Sequence, residues 1–365
     1  MADTRAAPKL TPTQWDDEFF REYFQDFPFA DWMGTSEMDI IQVKEDLTKK
    51  KGDRITFALL RKMRGNAVTG DNVLEGNEER LDSRGFLLTV NRRRNAFIVG
   101  EMEEQKSAIG LREAGKASLK DWSTEDTRDM IIDAIESIDG VVYASATEGN
   151  KDTWLANNAD RVLFGATVSN NSANDHSASL ANIDNTNDKL TGARLSLLKR
   201  RALLASPKLR PMKDSGNGKR YFVALVHPYL MRDLKADSAV QTAMQNSIDE
   251  RRNSTIWEGG DILWDGVIVK EVDDLNILTG VGNGGIDVGR CSLLGAQAIG
   301  IGWAKRWSTK TGERDWGDKA GVAIRATYGV EKLRFGTGDV TETDDLINPK
   351  DHGVATGYFA AVADA

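Results

Sequence analysis

The stretch "RYFVALVHPYLMRDLKAD", residues 220–237, decides how this chain is read. Tyr221 to Val226 is apolar and β-branched, the signature of a strand buried on both faces. Pro228 then presets φ for the first turn of a helix, so His227–Pro228 marks a strand-to-helix corner. A catalytic histidine at such a corner needs a nucleophile or a carboxylate partner in recognisable context. No G-x-S-x-G elbow occurs in the sequence. The corner is therefore read as architecture.

Outward from the corner, strands and helices are scattered without βαβ alternation, which predicts an α+β fold. Strands are expected at 55–60, 86–90 and in "DGVIVKEV" (265–272), and helices in "TGARLSLLKRRALLASP", ending before Pro207, and "AVQTAMQNSIDERRN". Residues 103–139 are expected as two helices. The break is placed at "WSTED", where Ser123 and Asp126 match a capping box. The Ser-, Asn- and Asp-rich middle, 148–190, is expected as loops or an insertion.

Two segments have more sticky surface than their own length can bury. "WDDEFFREYFQDFPFADWM", 15–33, holds eight of the chain's 27 aromatic residues. In a helix Trp15, Phe19 and Tyr23 form one apolar stripe, joined by Phe20 and Phe24. Such a segment packs either on its own domain or on a neighbour's. The second lies between the strand-like runs at 55–60 and 86–90: about 25 residues of glycine and charge with few apolar anchors. Met63, Val73 and Leu74 are too few for a core, and Glu78 and Glu79 belong to its acidic part. The candidate inter-subunit contacts are Trp15, Phe19, Tyr23, Phe24, Trp32, Met63, Val73, Leu74, Glu78 and Glu79.

Composition narrows the function classes. The net charge is −8, against a tight grip on duplex DNA or on an anionic membrane. No apolar run reaches the roughly 20 residues that span a bilayer, and "MADTRAAPKL" lacks the apolar core of a signal peptide. Synthesis in the host cytoplasm is expected. The lone Cys291 reads as a small buried residue, and three histidines supply zinc poorly, so no metal or cofactor is expected. "GVGNGGIDVG" contains a literal G-x-G-x-x-G at Gly280, Gly282 and Gly285. It lacks the following amphipathic helix and the later acid of a dinucleotide site, and is read as a flexible loop. A hydrolase or nucleotide-binding enzyme using the His227 corner or the Gly280–Gly285 loop is the competing reading.

Seven segments taken in order resemble tailed-phage major capsid (coat) proteins of the podovirus type. They are "SEMDIIQVKEDLTKKKGDRITFALL" (36–60), "VTGDNVLEGNEERLD" (68–82), "LREAGKASLKDW" (111–122), 220–237 itself, "WEGGDILWDGVIVKEV" (257–272), "LLGAQAIGIGW" (293–303) and "DWGDKAGVAIRATYGVEKLRF" (315–335). The resemblance implies the tailed-phage and herpesvirus capsid fold. Its parts would be an N-terminal arm (1–50), an extended β-hairpin loop (51–100), a peripheral domain with a long spine helix (101–147) and an axial domain (148–325). Strands at 326–365 would return to the peripheral domain. It also implies a homo-oligomeric icosahedral shell of pentamers and hexamers in the virion, enclosing double-stranded DNA without sequence-specific binding. Scaffolding, portal and decoration proteins would be partners, and no cofactor is implied. The polar middle and the glycine loop depart from the family pattern.

Overall fold

In the computed structural model, Arg220–Val226 is a strand and Pro228–Ala236 the helix that follows it. His227 is the N-cap. Its Nδ1 accepts the Tyr229 backbone N–H at 3.3 Å, and its ring meets the Tyr229 ring edge-on at 4.8 Å. The structure describes residues 27–364 except 46, 48–51, 64, 80, 108–109, 214–217, 250–256, 259–260 and 339–345. The chain forms two compact units, one of residues 1–28, 91–128 and 305–327, the other of 29–90, 129–304 and 328–365.

The second unit is built on an eight-stranded sheet. Its strand order is Val162–Phe164, Val354–Ala360, Val288–Leu294, Arg220–Val226, Val267–Glu271, Asp261–Trp264 and Trp257–Glu258, with Met212–Lys213 paired to the edge of Arg220–Val226. Val267–Glu271 runs parallel to Arg220–Val226, and Val288–Leu294 runs antiparallel to it. The central strands are buried throughout, so they read as continuous apolar runs with no alternation. Leu163, Cys291, Leu293, Ala355 and Phe359 face one cluster with Leu195, Leu198, Leu230 and Leu234. Val162, Phe164, Val288, Tyr358 and Ala360 have the opposite parity and face Trp154, Leu155, Leu180 and Ile183.

That second cluster corrects the reading of the polar middle. Residues 148–190 form helix Glu148–Asn158, strand Val162–Phe164 and helix His176–Leu180. Their Thr and Asp side chains serve as caps and staples: Thr147 accepts from Asn150 N–H, Asp175 from Ala178 N–H, and Asp188 from the N–H groups of Ala166 and Asp184. A polar composition therefore folds regularly here, because Trp154, Leu155, Phe164 and Leu180 supply the apolar burial.

The expected break at 123–126 is also corrected, since Leu111–Glu136 is a single helix. Ser123 and Thr124 donate to the Lys120 carbonyl and Thr127 to that of Ser123, so the hydroxyls are satisfied within the helix and no cap forms. Asp126 instead accepts from Arg93. In the first unit, Leu119 and Trp122 pack with Phe97, Trp307, Val322 and Ile324. Gly115 permits this approach, for a Cβ there would lie 2.4 Å from the Phe97 ring.

The grouping of strands differs from the expected segmentation. Ile299–Arg314 and Lys319–Lys332 are central in a second sheet, ordered Met33–Gly34, Ile41–Lys44, Ile299–Arg314, Lys319–Lys332 and Asn91–Gly100. Val354–Ala360 lies inside the eight-stranded sheet, so residues 326–365 do not act as one returning segment. Non-local pairing decides this, and it leaves no local mark on the sequence.

Candidate assembly surface

Arg54–Leu60 and Ser83–Thr89 form an antiparallel hairpin in which Ile55 pairs Leu88 and Phe57 pairs Phe86. These four side chains are at most 2 % exposed and cluster with Leu333 and Phe335. They seat on Gly300 and Gly302, where added Cβ atoms would come within 3 Å of Phe57, Ile55 and Leu88. "AIGIGW" is thus flat because the hairpin lies on it.

The other face of the hairpin is open, with Leu60 and Leu87 exposed. At the neck, Arg61 Nη1 donates to Asp82 Oδ2 at 2.7 Å and Arg61 N–H to the Asp82 carbonyl at 2.9 Å. The Arg61 hydrogen bond holds the Asp82 carboxyl below its ordinary value. Beyond the neck the connection 61–82 has turns of its own: Asn77 N–H donates to the Leu74 carbonyl, Gly76 N–H to Glu78 and Gly65 N–H to Glu79. Met63, Val73 and Leu74 are 55 %, 66 % and 63 % exposed, and Glu78 and Glu79 are exposed beside them.

Trp32 is different. It is only 8 % exposed, edge-on to Phe29 and beneath Lys270 Nζ, so its own chain covers it. Trp15, Phe19, Tyr23 and Phe24 lie outside the described residues. Sequence reading missed Trp316, which is fully exposed between Ile299–Arg314 and Lys319–Lys332 in the positive-φ run Asp315, Trp316, Gly317. The run "ERDWGDK", with Gly between two alternating segments, carried the turn signal.

The groups of the enzyme reading are occupied structurally. Gly280, Gly284 and Gly285 take positive φ, Gly280 N–H donates to Asp287, and a buried strand rather than a helix follows. Burial lowers His176 and His352 to about 4, keeping both neutral, and raises Cys291 to about 12. Burial also lowers His227. A cavity of about 650 Å³ is walled by Tyr143, His176, Leu278, Lys151, Glu136 and Arg290 among others. Its cations are paired, Arg290 with Glu136 at 2.9 Å and Lys151 with Glu148 at 3.7 Å. Glu148, Asp152 and Asp175 come close together, yet Asp152 accepts His176 N–H and Asp175 caps a helix.

A closed apolar core beside a long apolar and acidic ribbon, held out by its own neck, is the geometry of a subunit that finishes its burial elsewhere. The family model for phage capsid protein matches residues 6–363. The chain belongs to the phage capsid protein family. The major capsid protein of Pseudomonas phage KPP25 is 27 % identical over 373 residues, covering 96 % of this chain and 95 % of that one. Among solved structures, the cyanophage Pam1 capsid asymmetric unit matches with a TM-score of 0.86 and 30 % identity, each chain covered completely. The capsid of Ralstonia phage GP4 matches at 0.75 and 21 %, again over both whole chains, which speaks to the fold. The fold is that of tailed-phage capsids, and the protein is a structural major capsid protein of the virion shell.

Proposed function

We propose that this capsid protein is the repeating tile of an icosahedral shell of pentamers and hexamers, assembled in the host cytoplasm around double-stranded DNA with scaffolding, portal and decoration partners. The hairpin and its connection 61–82 act as the extended loop, reaching onto a neighbouring copy. Residues 1–26 act as an arm, Leu111–Glu136 as the spine helix, and the eight-stranded sheet as the axial body. Met63, Val73, Leu74, Glu78 and Glu79 contact that neighbour, and Trp316 anchors a further contact.

The observation that carries this reading is the exposure of Met63, Val73 and Leu74 on a ribbon whose root is fully packed. Each such side chain gains roughly 1.5–3 kcal/mol on complete burial. In a shell every copy both offers and receives this surface, which is how heterologous contacts close into rings.

The test replaces residues 63–80 by an Asn-Gly turn, a two-residue hairpin closure. The cut stops short of 83–85, because those residues pair with 58–60 and Arg84 is buried. The expected result is a folded subunit that forms no stable shells by sedimentation and negative-stain microscopy. Normal shells, or loss of folding, would count against the reading. Truncation of 1–33 puts the same question to the arm, although it also removes the buried Phe29 and Trp32, so removal of 1–26 is the cleaner cut.

A further inference from the structure

In the first unit, strands Asn91–Gly100, Lys319–Lys332 and Ile299–Arg314 present two unlike faces. Phe97, Val322, Ile324 and Trp307 point to the helix, and Arg93 reaches Asp126 on the same side. Alternation sends the other parity to the opposite face. The register supports this: Ser308 Oγ lies 3.4 Å from the Arg325 carbonyl, and a Cβ on Gly321 would face Ile98 Cγ1 at 3.7 Å.

That opposite face carries Arg92 and Arg94 on one strand, Arg325 on the next, and Arg306 and Lys310 on the third. Every other position on it, from 92 to 98, 321 to 327 and 306 to 312, is Ala, Ile, Gly, Ser or Thr. No carboxylate stands among them. Arg92, Arg94 and Lys310 are exposed, Ile98 is 50 % exposed, and the Arg325 Nε is buried without a hydrogen-bond partner. Like charges on adjacent strands repel. In a chain of net charge −8, such a face is complementary to an anionic partner.

We propose that this arginine face is the seat of segment 71–79 of a second copy of the chain, an inference that rests on the proposed reach of the connection to a neighbour. The segment "DNVLEGNEE" offers four carboxylates and no cation, with Val73 and Leu74 exposed among them. Asp71, Glu75, Glu78 and Glu79 meet the guanidinium and ammonium groups, and Val73 and Leu74 cover Ile98, Ala96 and Ala323. Apolar and ionic groups are thus interspersed on both sides, whereas a nucleic acid would leave Ile98 against phosphate.

The first arm of the test is a charge swap in the full chain. R92E/R94E is expected to abolish shells while the unassembled subunit melts as before, E75R/E78R to do the same, and the four changes together to restore shells. The second arm introduces R94C with E75C. Cys291 is buried, so oxidised shells should give inter-chain ladders on a non-reducing gel, and either cysteine alone should give none. Failure of the swap to restore shells, together with no ladder, overturns the seat. A third arm places a photo-crosslinking residue at Leu74. Inter-chain products mapping outside 91–100 and 305–327 would overturn the seat and keep the reach, and no inter-chain product from intact shells would overturn both. Normal shells from R92E/R94E with reduced DNA content would assign the face to nucleic acid and overturn the proposal.

Discussion

Two ion pairs of equal length bracket the behaviour of this molecule. Lys332 Nζ lies 2.7 Å from Asp351 Oδ2 with both side chains 2 % exposed, and Arg61 Nη1 lies 2.7 Å from Asp82 Oδ2 with both about a third exposed. The first belongs to a sealed hub. Trp154 Nε1 donates to the same Asp351 oxygen, the Asn158 side chain accepts Asp351 N–H, Lys332 donates to the Ser137 carbonyl, and Arg161 donates to the Asp351 carbonyl. Arg290 and Glu136 form a second buried pair nearby, where burial raises the Glu136 carboxyl while Arg290 and Asn276 draw it back. The second pair only closes the neck of a ribbon in water. A buried pair broken on one side strands a desolvated charge, whereas solvent replaces a lost surface partner. The hub therefore holds one chain together, and the ribbon is left for contacts between chains.

The largest effect should come from Lys332→Ala, expected to destabilise the unassembled subunit by about 3–5 kcal/mol through the stranded Asp351 carboxylate. Denaturant midpoints measure this, and Arg61→Ala, its surface counterpart, should leave the midpoint unmoved. If both substitutions act alike, the contrast is broken. Phe57→Ala probes the packed root of the ribbon and should cost about 3 kcal/mol, because the large side chain is lost from a well-filled site on Gly300.

Acid should separate the regions next. His176 and His352 stay neutral in the fold down to about pH 4, whereas unfolded histidine protonates near 6.5. As pH falls through that window the unfolded chain takes up protons first. Stability should therefore drop by about 1.4 kcal/mol per pH unit for each histidine, and be unaffected by them above pH 7. Denaturation at pH 7 and pH 5 measures the slope, and His352→Gln should flatten it. An unchanged slope would mean that this histidine is protonated in the folded state. The smallest effect on folding is expected from Val73→Ser with Leu74→Ser, within about 0.5 kcal/mol for the subunit, accompanied by loss of shells. A folding penalty like that of Phe57→Ala would place the ribbon in its own subunit's core.

Parts of this contrast were readable in the residues. Alternation in "RITFALL" and "RGFLLTV" marks the hairpin strands, and a connection of that length with so few apolar anchors marks the ribbon. The corner at His227 follows from Pro228. Other features were hidden for physical reasons. Ser123 and Thr124 look like a helix start, but their hydroxyls bond back to Lys120 once the helix runs on. Residues 148–190 look like loop until Trp154 and Phe164 find Tyr358 and Ala360 nearly 200 residues away. "NRRRNA" looks like a short basic run, and only the pairing of three strands sets Arg92 and Arg94 beside Arg325.

By itself the order of residues determined which segments extend, which coil, and that two of them carry apolar surface beyond what local structure can bury, because periodicity and turn chemistry act over a few residues. The tertiary structure alone decided that Val354–Ala360 enters the large sheet, that Lys332 meets Asp351, and that Trp32 is covered while Leu74 is not. Those outcomes depend on desolvation by distant parts of the chain, and burial is a property of the whole fold rather than of any stretch of it.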